Sequence, residues 1–535
     1  MAELKRTAHL LGPWQGYDPQ ETRENTIPWM ENILPGRTLR TRKKRGLRGT
    51  WENLKGVLSD EFLFTIRGNT LYMDETAVEG LSFAAARQRQ MVRLGDYLLI
   101  YPDKVAVNIY DPADNFRLQQ SFTGSVKRTL RTAYGAVTAA NALPDTGSEG
   151  AQVLVEDTLY VRRAGSWRVS DREVFTQLAC AGIGENFREE DGVTLGETAH
   201  QVVSADADTL LLRGPILTPG EMELTVTRPA PQLDFVQVWG DRVFGCRHAA
   251  GSGSMLWACA PDNIRNWVWD DAWSAKAWAS GPFTGCGALH GSPIFFTENC
   301  ILRIYPDSGG DHRVDTLAAP GVAPGSGKSV AAWEGTLYYL SSQGVMAYDG
   351  SYPRRVSRDL GTEVWKNGVA ACWAGEYWLA ADNSWDIPHL VCCDVEEETW
   401  RREDGLQVTH LFTHAGALQL VDSLGNVWCA QGLVGQTEED FYYTCQLPRF
   451  DLYSLRRPKL VGLELRLQVR GQLDIYLEYD SSGDPIHLTT LQDLGISTVS
   501  IPIPPRLADH FRISFDGQGE LCIHTMAYIL EQRGV

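Results

Sequence analysis

Residues 334–350 read EGTLYYLSSQGVMAYDG, a glycine-centred turn, a short aromatic strand, a second turn and a second apolar strand. Glycine adopts the positive φ that such turns need, and alternating Tyr, Leu and Val side chains fit a pleated surface. The stretch therefore predicts two successive β-hairpins.

The same glycine-centred turn, followed by an apolar strand, occurs six times. Its glycines are Gly95, Gly240, Gly291, Gly335, Gly375 and Gly416. From Gly240 onward they lie 51, 44, 40 and 41 residues apart, which is the length of one four-stranded sheet in a radial array. The period predicts a β-propeller of five to seven blades, and a sandwich built from unrelated hairpins is the alternative.

Length and composition set limits on the class of protein. A chain of 535 residues with 51 Gly, 19 Tyr and 17 Trp is typical of an all-β protein with two or three domains. The net charge of −18 argues against ordinary duplex binding but fits a conduit whose wall repels phosphate. The first residues lack a secretion signal and no stretch could span a membrane, so we expect a soluble protein that folds in a cytoplasm.

The chain divides into five segments. Residues 1–60 are predicted to be an arm or an incomplete blade, and residues 61–119 and 233–435 the propeller. Gly95 and Gly240 lie 145 residues apart, so residues 120–232 are predicted to be a small inserted β domain. Strands that alternate apolar and polar residues predict a C-terminal antiparallel β-sandwich over 436–535.

One dense basic run interrupts this acidic chain. Its members are Arg37, Arg40, Arg42, Lys43, Lys44, Arg45 and Arg48. A solvated strand and turn is one interpretation, and contact with an acidic neighbour or with nucleic acid is the other. Under the second interpretation, replacing residues 42–45 with serine should leave folding intact and impair assembly.

No motif predicts catalysis, a cofactor or a metal. Gly327-Lys328-Ser329 resembles the end of a phosphate loop, but Val322 stands where that motif needs glycine. His410 and His414 would align as metal ligands only on a helix, and their segment is predicted to be a strand. The 11 cysteines are scattered and odd in number, which predicts reduced core residues. Residues 422–428 lack the spacing of a sialidase-type Asp box, so a glycosidase is not favoured.

Several phrases together resemble a known family. They are residues 25–36 (NTIPWMENILPG), 240–246 (GDRVFGC), 258–267 (ACAPDNIRNW), 291–299 (GSPIFFTEN) and 478–483 (EYDSSG). The order of parts is similar to that of the propeller-containing tail proteins of tailed bacteriophages, the packaged-DNA stabilisation, tail-nozzle or hub proteins. The resemblance extends over nearly the whole chain.

The resemblance implies a non-enzymatic virion protein. Such a protein would form a homo-oligomeric ring, expected to be a hexamer, beneath other tail, portal or adaptor proteins. The ring would retain packaged DNA, conduct it during ejection without reading its sequence, and be assembled in the bacterial cytoplasm. A host-binding tail adhesin and a carbohydrate-binding or hydrolytic propeller are the alternatives.

Overall fold

The computed structural model describes residues 4–21, 25–84, 88–251, 253–268, 271–278, 281–307, 309–361, 363–432, 436–452 and 458–533. The predicted fold class is confirmed. Nearly all regular structure is β, arranged as a seven-bladed propeller, an inserted β domain and a C-terminal antiparallel sandwich. No helix in these ranges has the length and apolarity that crossing a bilayer requires.

Six blades are four-stranded antiparallel sheets whose strands follow one another along the chain. From the innermost strand outward, these blades are: blade 1, Leu54–Ser59, Leu63–Arg67, Thr70–Met73, Thr76–Ala77; blade 2, Gln90–Leu94, Tyr97–Tyr101, Val105–Asn108, Asn115–Arg117; blade 3, Phe235–Trp239, Arg242–Ala249, Gly253–Ala258, Trp273–Ala277; blade 4, Phe283–Leu289, Ser292–Thr297, Cys300–Tyr305, Arg313–Ala318; blade 5, Ala331–Trp333, Thr336–Ser341, Gly344–Tyr348, Arg354–Arg355; blade 6, Lys366–Trp373, Glu376–Asp382, Pro388–Asp394, Trp400–Arg402.

Blade 7 takes its outermost strand from the other end of the chain. Its first three strands are Val408–His414, Ala417–Asp422 and Asn426–Cys429, and Gly46–Thr50 pairs antiparallel with the third. Gln436–Thr437 adds a short fifth strand outside it. The predicted arm therefore completes the last blade, and the ring is closed by hydrogen bonds between the two ends of the propeller.

Each blade is buried on both faces, which explains the aromatic repeat. In blade 5, Leu337 and Tyr339 pack against blade 4, while the alternate residues Tyr338 and Leu340 pack against blade 6. The innermost strands contact one another in order around the ring, and that of blade 7 contacts that of blade 1. The sheets thus share one apolar interface after another without an exposed end.

The six repeated glycines mark the turns between the first and second strands of blades 2 to 7, and all have positive φ. Blade 1 has Asp60 and Glu61 at this turn instead. This turn lacks the glycine that identifies the repeat, so the sequence alone does not determine the number of blades.

The insertion leaves the propeller after blade 2 and returns before blade 3. Its strands form one ten-stranded sheet: Gln119–Thr132, Gly135–Ala139, Gln152–Val155, Thr158–Arg163, Ser166–Val169, Phe175–Ala179, Gly192–Leu195, Thr198–Asp206, Thr209–Arg213 and Gly220–Pro229. The backbone N–H of Ala230 donates to the carbonyl of Leu118 over 2.9 Å. This hydrogen bond joins the segment that enters the inserted domain to the segment that leaves it.

The C-terminal domain combines strands from both ends of the chain. They are Leu4–Leu11, Trp29–Glu31, Ile33–Leu34, Leu39–Thr41, Tyr442–Gln446, Phe450–Asp451, Lys459–Tyr479, Ile486–Gln492, Ser497–Pro502 and His510–Arg533. The two longest, Lys459–Tyr479 and His510–Arg533, pair along their length and run through both layers around one apolar core. The predicted boundary at 436 thus omits the N-terminal strands that the domain contains.

Candidate functional site

The seven innermost strands surround an axial channel of about 1170 Å³. Every blade or the segment leading into it contributes lining residues, and small ones are frequent among them, such as Gly56, Gly287 and Ala370. Larger apolar side chains, including Phe235 and Leu411, line other parts of the wall. More of the wall is apolar than polar, and its polar and charged side chains include those of Gln90, Asp234, Glu298, Lys328 and His410.

Lys328 bridges this channel. It lies in the short 3-10 helix Gly327–Ser329 that leads into blade 5, and its side chain reaches groups from two other blades. Nζ donates to Oε1 of Gln88, at the entrance to blade 2, over 3.2 Å. It also lies 2.9 Å from Nε2 of His410, in the innermost strand of blade 7. One ammonium group thus connects three separated parts of the ring.

The hydrogen bonds around His410 define its tautomer. The hydroxyl of Thr409 donates to the carbonyl of Val421 over 3.1 Å, so it must accept the bond from Nδ1–H of His410 at 3.1 Å. Nε2 is then unprotonated and accepts from Lys328. Burial, followed by the charges of Lys328 and Lys55, lowers the pKa of His410 to about 3, so the ring is neutral.

Lys328 itself is held in an unusual state. Burial, followed by the charge of Lys55, lowers its pKa to about 8. Within the described residues neither lysine has a carboxylate within 4.0 Å. The side chain of Lys328 is more than a third exposed, so its ammonium group faces the open channel, and the lowered pKa reflects the protein that surrounds the channel together with the charge of Lys55.

Two carboxylates line the described part of the channel. Oδ2 of Asp234 accepts from the backbone N–H of His248 over 2.8 Å, and Oε1 of Glu298 accepts from the hydroxyl of Ser342 over 2.7 Å. Nearby Arg89 is paired with Asp103, with Nε and Oδ2 2.8 Å apart. No group of three or more potential ligands among His, Cys, Asp and Glu is arranged around a metal position in the described residues.

The basic run is split by the structure. Arg42 and Arg45 are 5% and 3% exposed and lie in an ion cluster with three carboxylates, Glu403, Asp404 and Glu438. Burial opposes ionisation of Asp404, but the guanidinium groups of Arg45 and Arg42 outweigh it and lower its pKa.

These buried pairs correct part of the prediction from sequence. Arg42 and Arg45 cannot reach an external partner as they stand, and their replacement by serine would leave buried carboxylates unpaired. Lys44 is half-buried against Asp440. Contact with a partner or with DNA stays a prediction for the exposed members Arg37, Arg40, Lys43 and Arg48.

The propeller has two different faces because consecutive strands alternate in direction. One, the turn face, carries the turns between the first and second and between the third and fourth strands of the blades. The described turns on this face contain the basic residue Arg265 and many acidic residues. The acidic residues are Asp60, Glu61, Asp74, Glu75, Asp96, Asp111, Asp114, Asp241, Asp262, Asp271, Asp307, Asp311, Glu334, Asp349, Glu396, Glu397 and Glu398.

The opposite face, here the insertion face, carries the turns between second and third strands and the links between blades. The inserted domain leaves from it. Among described propeller residues, the three most exposed large apolar side chains lie here: Trp278, Trp385 and Leu424, at 91%, 80% and 78%. They belong to blades 3, 6 and 7, so they are distributed around this face and do not come from one blade.

Sequence reasoning missed the channel cluster. In the sequence, Lys328 stands out only as part of a possible phosphate loop, which its spacing does not support. A lone lysine immediately before the innermost strand of a blade was the available signal. The eleven cysteines are free, and six of them are buried.

Comparison with known proteins adds little to these observations. No protein-family model and no curated protein matches the chain. Solved structures are similar only at a low level, and three of them serve as examples. BamB from Moraxella catarrhalis has 9% identity and a TM-score of 0.28, with 80% of this chain and 97% of that chain covered. The computationally designed Ika8 protein has 8% identity and a TM-score of 0.30, with 72% of this chain and 99% of that chain covered.

The third is an exo-β-1,3-galactanase from Phanerochaete chrysosporium, with 10% identity, a TM-score of 0.17, and coverage of 75% of this chain and 100% of that chain. Similarities at this level carry no argument about function. What the fold establishes is a closed seven-bladed β-propeller with two additional β domains.

Proposed function

We propose that this protein is a non-catalytic structural subunit of a tailed-phage virion, a component of the tail nozzle, hub or head–tail connector. It would assemble as a ring, with six copies expected, contact portal, adaptor or other tail proteins, and conduct DNA without reading its sequence. Assembly would take place in the cytoplasm of the bacterial host.

The acidic turn face is the observation that carries this proposal. Carboxylates such as Asp96, Glu396 and Glu397 project from the described turns on this side. They outnumber the cations there, which include Arg265 and the arginines Arg67, Arg93 and Arg354 paired with Glu75, Asp60 and Glu398. A wall of this charge repels phosphate, so DNA can move along it without being held by counter-ion release. A ring that directs its turn faces to the lumen would therefore act as a low-friction conduit.

The closure of the molecule supports a load-bearing role. Gly46–Thr50 joins the last blade, and the same N-terminal segment continues back into the C-terminal sheet. Neither the propeller nor the C-terminal domain can open without breaking strand pairs formed by this segment. Such interlocking suits a subunit that resists the pressure of packaged DNA.

The insertion face supports contact with other tail proteins. It lies opposite the turn face, so it would point away from the lumen of the ring, where another tail protein could cover the apolar side chains of Trp278, Trp385 and Leu424. Neighbouring subunits of the ring would then meet through the sides of their propellers, in heterologous contacts that close by rotation.

Electron microscopy and native mass spectrometry of the purified full-length chain test the proposal. We expect closed rings with the turn faces toward the lumen. The double variant W278D/W385D, on the outward face, and Tyr352→Asp, an exposed aromatic residue on the turn face, should both still form rings, because neither face lies between neighbouring subunits. A stable dimer, or rings whose lumen is lined by the insertion face, would contradict the proposal.

A carbohydrate-active propeller is the second candidate, because Asp234 and Glu298 line the channel and glycosidases use paired carboxylates. A panel of glycans separates the two candidates. Turnover that disappears in Asp234→Asn and Glu298→Gln variants would favour the enzyme, and cell binding without turnover would favour an adhesin. The structural subunit should show neither activity.

A further inference from the structure

The cavity around Lys328 has a feature that a conduit subunit does not need. Nζ has three N–H donors, of which two are used by Gln88 and His410. No acceptor for the third lies among the described residues around it. The two partners are neutral, so the charge of the ammonium group is not compensated where it sits.

A second cation reinforces the positive character. Lys55 is near enough to affect the pKa values of both Lys328 and His410. It has no ion pair among the described residues. Arg89 also lines the channel, but its charge is shared with Asp103. An anion placed beside Lys328 would therefore meet one unpaired donor and two uncompensated charges.

The rest of the channel indicates the kind of anion. About 1170 Å³ is more space than an inorganic ion needs, and the wall includes Met91, Phe235, Leu337 and Leu411. A ligand with an apolar body would displace water from this surface and gain from its burial.

The charge of the anion is limited by its surroundings. Asp234 and Glu298 line the same channel and would repel a group with two or more negative charges. A phosphate ester is doubly charged near neutral pH, whereas a carboxylate carries one charge.

From these contacts we propose that the axial channel is a binding site for a small organic carboxylate, whose oxygens accept the free N–H of Lys328 and whose apolar body lies along the channel wall. The site belongs to the single chain and does not depend on the proposed ring. Its failure and that of the ring model are therefore distinguishable.

Calorimetric titration of the full-length protein with octanoate at pH 7 tests the site. We expect saturable binding that Lys328→Met weakens at least tenfold. The matched control is Lys366→Met, which removes an exposed lysine paired with Asp386 on the propeller surface and should bind octanoate as the wild type does. Octanol, which lacks the charge, and inorganic phosphate, which lacks the apolar body, should each bind at least tenfold more weakly than octanoate.

The pH dependence gives an independent readout. In the ligand-free protein the pKa of the Lys328 ammonium group is about 8. The affinity for octanoate should therefore fall progressively as the pH is raised from 8 to 10. The charged groups around the site are Asp234, Glu298, Arg89 and Lys55, and His410 is already neutral in this range.

A measurement without a variant covers the case in which Lys328→Met fails to fold. Octanoate should protect Lys328 from acylation by an amine-reactive ester, with Lys366 labelled equally in both samples and the sites quantified by mass spectrometry. Absence of octanoate binding to the wild type, equal binding by a folded Lys328→Met variant, or labelling of Lys328 that octanoate leaves unchanged would each overturn the proposal.

Discussion

Arg42 and Glu438 form a two-point ion pair that joins the N-terminal segment to the link between the propeller and the C-terminal domain. Nη1 of Arg42 lies 2.7 Å from Oε2, and Nη2 lies 2.9 Å from Oε1. Arg45 extends the cluster to Glu403 and Asp404, in the link between blades 6 and 7. Three segments that are distant in sequence are thus fixed at one point.

Replacing Arg45 with alanine should destabilise the protein by about 3–5 kcal/mol, since the buried Glu403 would lose a neutralising partner. Lys44→Ala is the matched control, because its pair with Asp440 is partly exposed and should contribute less than about 1 kcal/mol. Urea unfolding at neutral pH measures both. Equal effects of the two substitutions would show that the cluster does not stabilise the fold.

Removal of residues 1–52 should convert the protein into an aggregating species. It deletes Gly46–Thr50 and so exposes the unpaired edge of Asn426–Cys429. Removal of residues 1–11 deletes an edge strand of the C-terminal sheet and leaves the propeller closed. Size-exclusion chromatography should show a monodisperse peak for the shorter deletion alone. A monodisperse protein after the longer deletion would mean that the ring closes without its last strand.

Lys328→Met should change how stability depends on alkaline pH. The folded-state pKa of about 8 lies below the ordinary value of 10.5, so between these values the unfolded chain binds more protons. The stability of the wild type should therefore rise with pH relative to the variant, by well under about 1.4 kcal/mol per unit, because solvent screens a side chain that is more than a third exposed. Urea midpoints at pH 7.5, 9 and 10 give the comparison. A difference that stays constant with pH would show that Lys328 titrates normally.

His410→Gln should protect against acid. The folded-state pKa of about 3 lies below the ordinary 6.5, so the unfolded chain binds more protons between these values and the wild type loses stability as the pH falls. The loss relative to the variant should be at most about 1.4 kcal/mol per unit. Burial also lowers the pKa values of His200, His312 and His389. Because wild type and variant share these histidines, their contribution to the pH dependence cancels in the comparison. Parallel acid profiles would contradict the assignment.

Gly519→Ala should destabilise the C-terminal domain by at least about 2 kcal/mol. Gly471 and Gly519 face each other in the two longest strands, both with positive φ, and a Cβ on Gly519 would lie 2.2 Å from the carbonyl oxygen of Arg470. Gly495→Ala is the control, because no atom lies within 4 Å of its added Cβ. Thermal unfolding followed by circular dichroism measures both. A tolerated alanine at Gly519 would mean that the strands can relax there.

The propeller could be predicted from sequence because its signal is local. A positive-φ glycine such as Gly335 and the strand after it lie within a few residues, and both faces of each blade are buried, so the aromatic pattern repeats. The strand Gly46–Thr50 could not be found in this way. It contains two glycines and two polar or charged residues, and its Thr50 lies 376 residues from its partner Asn426.

The channel site was hidden for the same physical reason. Gln88, Lys328 and His410 come from three separated parts of the chain, and only the closed ring brings them together. The basic run shows the opposite error: its charge was evident, but burial of Arg42 and Arg45 depends on carboxylates far along the chain. Local patterns predicted the sheets, and long-range pairing determined which side chains met.

The borrowed strand of blade 7 also has a consequence for biosynthesis. At roughly 5–20 residues per second, about 20–75 s would separate the emergence of Thr50 from that of Asn426, given their 376-residue spacing. During this interval the nascent N-terminal segment has no partner strand. Its basic side chains, among them Arg37, Arg40, Lys43 and Arg48, would keep it hydrated and discourage association between neighbouring nascent chains on a polysome until the ribosome has delivered the residues it must join.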